Sequence, residues 1–168
     1  MDGSDGPAPG SVPDPASNSV PVAVVFVGVQ AAGKSTYFAQ RFADTHVRLN
    51  LDMLRTRHRE RVLMHALLAI GQRFVVDNTN LTARARARYV QAAKAAGYRV
   101  EAVVFELPLE LALARNAART GRARVPDRAV RGSYAKLEAV TEAEGFDAVT
   151  LVDSTQPNSP SPTSETLP

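Results

Sequence analysis

The sequence predicts an α/β domain in which a parallel sheet of five strands lies between helices. A run of β-branched residues at 22–27 has the composition of a strand that is buried on both faces. Four more strand-like runs alternate with helical patterns along the chain, at 48–50, 73–77, 99–106 and 148–152. Strands that alternate with helices of this length form a parallel sheet, whose ligands bind at the carboxyl ends of the strands.

Helical patterns fill the segments between these strands. The first begins at Ser35, and the others occupy residues 53–70, 82–96, 109–119 and 127–144. Thr82 fits the N-cap of its helix, and Gly71 and Gly97 stand where C′ glycines end helices. These signals support a helix over each of the two segments that they bound.

The loop between the first strand and the first helix reads GVQAAGKS, from Gly28 to Ser35, and matches the GxxxxGK[ST] pattern of a phosphate-binding loop. Gly28 and Gly33 permit close backbone approach, so that successive amide groups and the helix N-terminus point at an anion. In such a loop Lys34 reaches the β- and γ-phosphates, and the Ser35 hydroxyl completes the shell of a phosphate-bound Mg²⁺. We expect ATP to contact Gly28, Gln30, Ala31, Ala32, Gly33, Lys34, Ser35 and Thr36.

The alternative is a strand-to-helix turn that carries its glycines and lysine by chance. From average residue usage, the four fixed positions coincide in a chain of 168 residues less than about once in a hundred. The strand before the loop and the helix after it make the coincidence rarer still. The sequence therefore indicates nucleotide binding.

The two ends of the chain differ from its middle in composition. Residues 1–20 and 154–168 are rich in proline and small polar residues, so we expect disordered tails on a folded domain at 21–153. The absence of cysteine excludes disulfides and cysteine-ligated zinc, and the three histidines lack metal-ligand spacing. No apolar stretch approaches the length of a membrane span and no signal-peptide pattern begins the chain, so a cytoplasmic location is the default expectation.

Basic charge is concentrated on the predicted folded domain. All twenty lysine and arginine residues lie between Lys34 and Lys136, where only eight acidic residues stand. Such charge attracts a partner that carries several phosphates, such as nucleic acid. Seventeen of the twenty are arginine and the chain is rich in alanine, a bias that a GC-rich genome also produces. The charge alone does not decide between these two explanations.

Candidate catalytic residues follow the second and third strands. Asp52 and Arg55 lie one helical turn apart in LNLDMLR, where a carboxylate could accept a hydroxyl proton and an arginine could hold an anionic acceptor. Asp77 follows the third strand, where P-loop enzymes place a carboxylate that holds Mg²⁺ through water. No glutamate follows Asp77, a pattern that favours transfer over hydrolysis. Alternatively, Asp52 caps the next helix and residues 77–80 form only a polar turn.

Several segments together resemble the kinase domain of polynucleotide 5′-hydroxyl kinases, both the phage enzyme and mammalian polynucleotide kinase phosphatase. They are LNLDMLR, VVDNTNLTARARARYVQAAKAAGY, RNAAR, VPDRAVRGSYAKLE and EGFDAV, and the similarity runs from about Val22 to Val152. The segment from Asp77 to Tyr98 is the most specific. The resemblance implies a P-loop kinase fold, ATP and Mg²⁺ as cofactors, and a DNA or RNA 5′-hydroxyl end as the acceptor.

The same resemblance implies roles for individual residues. Lys34 and Ser35 bind ATP and Mg²⁺ in this interpretation. Asp52 is the general base on the 5′-hydroxyl, and Arg55 holds the neighbouring 3′-phosphate of the acceptor. The implied activity is therefore an ATP-dependent phosphotransferase that acts on a 5′-hydroxyl nucleic acid.

An arginine-rich stretch at 115–131 has the properties of a mobile lid. Its guanidinium groups could close over a triphosphate and stabilise charge on the transferring phosphoryl group. By the resemblance, Arg131 is the lid arginine on the β- and γ-phosphates, and Asn116 and Arg119 frame the nucleotide. The alternative is a solvated pair of basic helices.

The chain departs from that family at two positions. Leu51 stands where family members usually carry an arginine before the acceptor helix, and Gln30 stands in the phosphate loop where proline is common. The sequence shows no phosphatase or ligase segment, so a role in nucleic acid repair would need separate partners. A small-molecule P-loop kinase is the main alternative, because such enzymes also carry an aspartate and a nearby arginine. A non-catalytic nucleotide-binding regulatory module is a third, and the oligomeric state is not indicated.

Overall fold

The computed structural model describes residues 20–156 and the backbone of residues 162 and 163. Five strands form its central sheet: β1 (Val22–Val27), β2 (Val47–Leu49), β3 (Phe74–Val76), β4 (Arg99–Glu106) and β5 (Ala148–Asp153). They run parallel in the order β2, β3, β1, β4, β5, and a short strand, β6 (Pro162–Thr163), pairs antiparallel with β5. The predicted α/β fold with five parallel strands is confirmed.

Six α-helices are present among the described residues. They are α1 (Lys34–Arg41), α2 (Leu51–Leu54), α3 (Arg57–Ala69), α4 (Ala83–Ala95), α5 (Leu109–Ala117) and α6 (Asp127–Ala135), with 3₁₀ turns at Gly121–Ala123 and Glu142–Glu144. No helix in the described part of the chain is both long and apolar enough to cross a membrane.

The side chains of β1 alternate between two cores, one on each face of the sheet. Ala23, Val25 and Val27 face a cluster that includes residues of α3 and α4. Val24 and Phe26 face the other cluster, which includes residues of α1, α5 and α6. This arrangement explains why the strand reads as a continuous apolar run, because neither of its faces meets water.

The helix ends agree with the sequence signals. Thr82 caps α4, since its side chain accepts a hydrogen bond from the Ala85 amide. Gly71 follows the end of α3 with a φ of 70°, and its amide bonds to the Leu68 carbonyl at 3.3 Å. Gly97 follows α4 in the same way, with a φ of 80°. The predicted N-cap and both predicted C′ glycines are therefore confirmed.

The predicted helix at 53–70 is instead two helices, α2 and α3. Arg55 ends α2 with a φ of 72°, a value that no α-helix continues through. Thr56 then caps α3, because its side chain accepts a hydrogen bond from the Arg59 amide at 3.2 Å. The interruption turns the chain at the edge of the sheet where the strands end.

The predicted helix at 127–144 was also too long, because α6 ends at Ala135. Arg86 on α4 has no exposed surface and holds the chain that follows α6. Its Nε and Nη2 donate to the two carboxylate oxygens of Glu144 at 2.6 and 2.7 Å, and its Nη1 donates to the Glu138 carbonyl at 3.2 Å. These bonds need an irregular segment after α6, and a continuous helix could not supply them.

The predicted tails lie mostly outside the described residues. Of residues 1–20 only Val20 is described, and of residues 154–168 only 154–156 and the backbone of 162 and 163 are described. The domain boundaries at 21 and 153 stay a prediction.

Candidate active site

The strand ends bring the predicted site residues to one edge of the sheet. Val25 of β1 pairs with Val76 of β3, and Leu49 of β2 pairs with the same residue. Asn50 and Asp77, which come directly after β2 and β3, are joined by a 2.7 Å hydrogen bond from Asn50 Nδ2 to the Asp77 carbonyl. The phosphate loop follows β1 at this same edge, so all three segments border one cleft.

The phosphate loop packs tightly against the neighbouring strands. A Cβ atom on Gly28 would lie 3.0 Å from the Cβ and 3.2 Å from the carbonyl oxygen of Phe105, so any other residue would press against Phe105. The Gly28 amide donates to the Thr79 carbonyl at 3.0 Å, which fastens the loop to the turn after β3. Gly33 precedes α1 with a φ of 87°, a left-handed conformation that glycine adopts without strain. The sequence motif thus forms the expected strand, loop and helix.

Lys34 is folded back over this loop. Its Nζ donates to the Gly28 carbonyl at 2.8 Å and to the Val29 carbonyl at 2.6 Å. Removal of the ammonium group from water lowers the pKa of Lys34 to about 8. The nearby Asp77 carboxylate opposes this shift, and the Arg119 guanidinium adds to it. An incoming polyphosphate would give the lysine the counter-charge that the protein alone supplies only in part.

Ser35 and Asp77, the two residues predicted to hold a metal ion, both accept hydrogen bonds from the guanidinium of Arg48. Arg48 Nε donates to Asp77 Oδ2 at 2.8 Å, and Arg48 Nη2 contacts the same oxygen and also donates to Ser35 Oγ at 2.7 Å. Asp77 is only 3% exposed. The guanidinium also lies over the Phe38 ring at 5.2 Å. Arg48 was not predicted as a site residue.

This pair of oxygens fits Mg²⁺. A hydroxyl and a carboxylate are the hard oxygen ligands that this ion prefers, and their joint contact with Arg48 shows that both face one cationic position. No group of three or more carboxylate, histidine or cysteine residues among those described could hold a metal ion alone. Ser35 and Asp77 would therefore hold Mg²⁺ together with phosphate and water oxygens.

The turn after β3 joins the phosphate loop to the opposite wall of the cleft. Asn80 has a φ of 47° and donates from Nδ2 to the Phe26 carbonyl at 2.8 Å. Asn78 accepts from the Leu51 amide at 2.9 Å, which fixes the start of α2. Residues 77–80 are thus more than a polar surface turn, because their side chains set the geometry of both walls.

Asp52 is not a helix cap. Asn50 caps α2, since its Oδ1 accepts from the Met53 amide at 3.1 Å, and Thr56 caps α3. Asp52 lies in the first turn of α2 and borders the cleft. The interpretation of Asp52 as a capping residue is therefore wrong, and Asp52 is instead one of the residues that line the cleft.

The cleft contains a cavity of about 340 Å³, within the size range of small-ligand sites. It brings together nine of the predicted site residues: Gln30, Ala31, Ala32, Gly33, Lys34, Ser35, Asp52, Asp77 and Arg119. Gly28, Thr36, Arg55, Asn116 and Arg131 are not among its lining residues. Arg57, which was not predicted, does line it.

A second cavity, of about 70 Å³, adjoins the first along α1. Ala32 and Gly33 line both cavities, and Thr36 lines this one. Gln40 and Arg115, which were not predicted to bind ligand, lie on its walls. Thr36 therefore lies on this side cavity and not on the main cleft, and its contact with ATP stays a prediction.

Asn116 shapes the arginine-rich segment between α5 and α6 from inside the protein. It has no exposed surface, and its Nδ2 donates to the Val125 carbonyl at 2.7 Å while its Oδ1 accepts from the Val125 amide at 3.1 Å. Arg119 lines the cleft and donates to the Ala123 carbonyl at 3.3 Å. Arg131 is exposed on α6. Asn116 thus holds the segment between α5 and α6 and does not itself line the main cavity.

Gln30 links the phosphate loop to α6. Its Nε2 donates to Ser133 Oγ at 3.0 Å, across 103 positions of the sequence. The Gln30 Oε1 atom is buried and has no hydrogen-bond partner among the described residues. Gln30, which departs from the common loop pattern, therefore connects the phosphate loop to α6.

Comparison with known proteins agrees with this geometry. Residues 24–142 match a family model, AAA_33, whose description is AAA domain. A protein of the PezAT chromosomal toxin-antitoxin system of Streptococcus pneumoniae has a similar structure, with a TM-score of 0.66 and 16% identity over 87% of this chain and 72% of that chain.

Two other similar structures cover most of both chains. A gluconokinase from Sinorhizobium meliloti 1021 has a TM-score of 0.57 and 20% identity, over 82% of this chain and 85% of that chain. Chaetomium thermophilum Kti12, solved with ADP-AlF3, has a TM-score of 0.57 and 16% identity, over 78% and 88%. At these identities the likeness shows a common fold.

Proposed function

The chain belongs to the AAA domain family AAA_33, and from that premise we propose that it transfers the γ-phosphate of ATP to the 5′-hydroxyl of a polynucleotide. Its fold is that of a P-loop kinase-like domain, which implies ATP binding and phosphotransfer. The observation that carries the proposal is that Lys34 of the phosphate loop and Asp52 of α2 line one cavity. A phosphate-binding cation and a carboxylate that caps no helix then face the same ligand space.

The phosphate loop is the proposed ATP side of this cavity. Backbone amides of the loop and the N-terminus of α1 would surround the phosphates, and Lys34 would leave its two carbonyl partners for the β- and γ-phosphates. Ser35 and Asp77 would hold Mg²⁺, which neutralises charge on the transferring phosphoryl group when bound. The side cavity beside Thr36 and Arg115 would border the nucleoside part of ATP.

The wall formed by α2 is the proposed acceptor side. Asp52 would act as the general base and accept the proton of the attacking hydroxyl. General base catalysis typically raises a rate about 10²- to 10⁴-fold. Arg55 would hold an anionic group of the acceptor. It ends α2 in an exposed position, three residues after the proposed base.

Arg131 is the proposed lid residue on the transferring phosphate. It lies on α6, whose Ser133 already contacts the phosphate loop through Gln30. Closure of α6 over bound ATP would bring Arg131 towards the β- and γ-phosphates. Arg119, at the other end of the lid segment, already borders the cavity.

The second candidate is a small-molecule kinase, and the similarity to a gluconokinase favours it. The cavity of about 340 Å³ would hold a sugar-sized acceptor beside a triphosphate. The polynucleotide acceptor is supported instead by the sequence resemblance from 22 to 152 and by the concentration of basic residues in that part of the chain.

The experiment that tests the proposal is transfer of labelled γ-phosphate from ATP to a panel of acceptors. The panel contains an oligonucleotide with a 5′-hydroxyl, the same oligonucleotide with a 5′-phosphate, nucleosides, gluconate and aminoglycosides. We expect labelled product with the 5′-hydroxyl oligonucleotide, no product with its 5′-phosphate form, and acceptor binding that weakens steeply with salt. Product with gluconate or another metabolite alone would replace the proposal with the second candidate.

A further inference from the structure

Arg57 is an arginine of the cleft that neither the sequence motif nor the resemblance assigns to any role. It is the first residue of α3 and lines the same cavity as Lys34 and Asp52. Its side chain is 51% exposed, so the guanidinium reaches into accessible space. It lies on the acceptor wall, directly after the turn that ends α2.

The guanidinium is anchored from behind by two buried groups. Arg57 Nη1 donates to Glu60 Oε2 at 2.8 Å and to Tyr89 Oη at 2.9 Å. Glu60 is 3% exposed and Tyr89 is 2% exposed. The two acceptors fix the direction of the Arg57 side chain before a ligand arrives. Binding of a ligand to Arg57 would therefore cost less side-chain entropy than binding to a mobile arginine.

One edge of the guanidinium is left for a ligand. An arginine carries five N–H donors, and two of them, both on Nη1, are taken by Glu60 and Tyr89. Within residues 20–156, Nε and Nη2 of Arg57 have no hydrogen-bond partner. Nε and Nη2 form a planar fork that matches the two oxygens of a phosphate or a carboxylate.

The same buried network fixes the helix that carries Asp52. Asn78 Nδ2 donates to Glu60 Oε1 at 2.6 Å, and Asn78 Oδ1 accepts from the Leu51 amide at 2.9 Å. The start of α2 is therefore connected to the Arg57 guanidinium through the side chains of Asn78 and Glu60. The proposed base and the free arginine edge are held in a constant relation, as recognition of one ligand by both requires.

We propose that Arg57 binds an anionic group that the acceptor carries beside its reacting hydroxyl, with Glu60 and Tyr89 as positioning residues. In a polynucleotide this group is the phosphate on the 3′ side of the terminal nucleoside. A sugar acid would offer the same chemistry through its carboxylate. The inference rests on the proposed function, and it adds a specificity-determining residue on α3 to the residues of α2.

The test compares acceptors with and without the anion in the wild type and in Arg57 variants. The value of kcat/KM is measured for a nucleoside 3′-monophosphate and for the nucleoside, and for gluconate and glucose. Arg57→Ala removes the fork, Arg57→Lys keeps only the charge, and Arg59→Ala is the matched control, because Arg59 is exposed on the same helix outside the cavity. Melting temperatures identify variants that fail to fold.

We expect Arg57→Ala to lower kcat/KM for the nucleoside 3′-monophosphate about 10- to 100-fold more than for the nucleoside, the value of one or two charged hydrogen bonds. Arg57→Lys should retain part of the preference and Arg59→Ala all of it. Calorimetric binding of the 3′-monophosphate without ATP should weaken in the same order. If Arg57→Ala instead lowers kcat/KM for gluconate much more than for glucose, the anion that Arg57 binds is the carboxylate of a sugar acid.

Two negative outcomes are distinguishable. If the wild type transfers phosphate to 5′-hydroxyl acceptors but Arg57→Ala lowers kcat/KM equally with and without the anion, the inference about Arg57 is wrong and the proposed function stands. If the wild type transfers phosphate to none of the acceptors, the proposed function fails and the inference fails with it. Where Arg57→Ala does not fold, the Arg57→Lys variant decides by the same comparison.

Discussion

The two walls of the cleft are built in different ways. On the phosphate wall each charged group has protein partners: Lys34 has two backbone carbonyls, and Asp77 has Arg48. On the acceptor and lid side, the Asp52 side chain makes no hydrogen bond or ion pair among the described residues, and Arg131 is exposed on α6. The fold thus fixes the charged groups of the phosphate wall before any ligand arrives, whereas on the acceptor wall it fixes Arg57 through Glu60 and Tyr89 but leaves Asp52 for the ligand.

We infer from this difference that nucleotide binding and acceptor choice depend on different parts of the sequence. Groups that are buried and paired stay in place when other residues change, because their movement would leave charge unpaired in the interior. Exposed groups on the short helix α2 and on α6 are free to differ between related proteins. We therefore expect nucleotide binding to depend on the loop and acceptor choice to depend on a few side chains of α2, α3 and the lid.

Among the variants of the phosphate wall and the lid, the largest expected effect is that of Lys34→Ala, which removes the cation of the phosphate wall. Transfer should fall at least about 10²- to 10³-fold, since a charged contact to the transferring group is lost. ATP binding, measured by calorimetry, should weaken as well. Lys136→Ala is the matched control, because Lys136 is exposed at the end of α6 and should change neither quantity. Full activity of a folded Lys34→Ala protein would remove the basis of the nucleotide site.

Arg131→Ala tests whether the lid acts on the same phosphate. We expect kcat to fall about 10- to 100-fold, with little change in the acceptor KM, because the contact would form mainly in the transition state. Arg128→Ala, an exposed arginine one turn earlier on α6, serves as the control. An effect confined to the acceptor KM would move Arg131 from the phosphate wall to the acceptor.

Arg48→Met tests whether the guanidinium that contacts Ser35 and Asp77 stabilises the protein when Mg²⁺ is absent. Its removal should lower the free energy of unfolding by about 1–3 kcal/mol without Mg²⁺, because a nearly buried carboxylate loses its charged donor. Urea denaturation measures this loss. Addition of Mg²⁺ with ADP should restore more stability to the variant than to the wild type. Equal stability of the wild type and Arg48→Met in the absence of metal would contradict this role.

The pH dependence of ATP affinity gives the smallest expected effect. The pKa of Lys34 is lowered to about 8 by its removal from water, so the free protein loses this positive charge above that pH. Bound phosphates favour the charged form, and ATP affinity should therefore fall about tenfold per pH unit above pH 8. The Lys34→Ala variant should lack this dependence. A constant affinity in the wild type from pH 7 to 9.5 would show that the lysine does not meet the phosphates.

The sheet and the phosphate loop were predictable from sequence because local patterns determine them. The apolar run of β1 is buried on both faces, and the two glycines of the loop reflect the close approach of Gly28 to Phe105 and the positive φ of Gly33. The helix breaks were not predictable in the same way. Arg55 ends α2 although arginine favours helices, and α6 ends early because of Arg86, which is distant in sequence.

The acceptor wall was only partly predictable, since arginine is too common in this chain to mark a position. Asp52 was identified from its place after a strand and lines the cavity, whereas Arg48 and Arg57 were missed. Arg48 lies in β2 two residues before Asn50, which lines the cavity, and this spacing could have suggested it. No local pattern marks Arg57, because Tyr89, one of its two anchors, lies 32 positions away.

The most direct test of the account measures ATP binding and phosphate transfer together in Asp52→Asn. This substitution retains the size and most of the hydrogen bonding of the side chain but cannot take up the hydroxyl proton. We expect an ATP dissociation constant close to that of the wild type, with transfer to a 5′-hydroxyl oligonucleotide reduced about 10²- to 10⁴-fold. Undiminished transfer, or a parallel loss of ATP binding, would contradict the assignment of Asp52 to a separate acceptor wall.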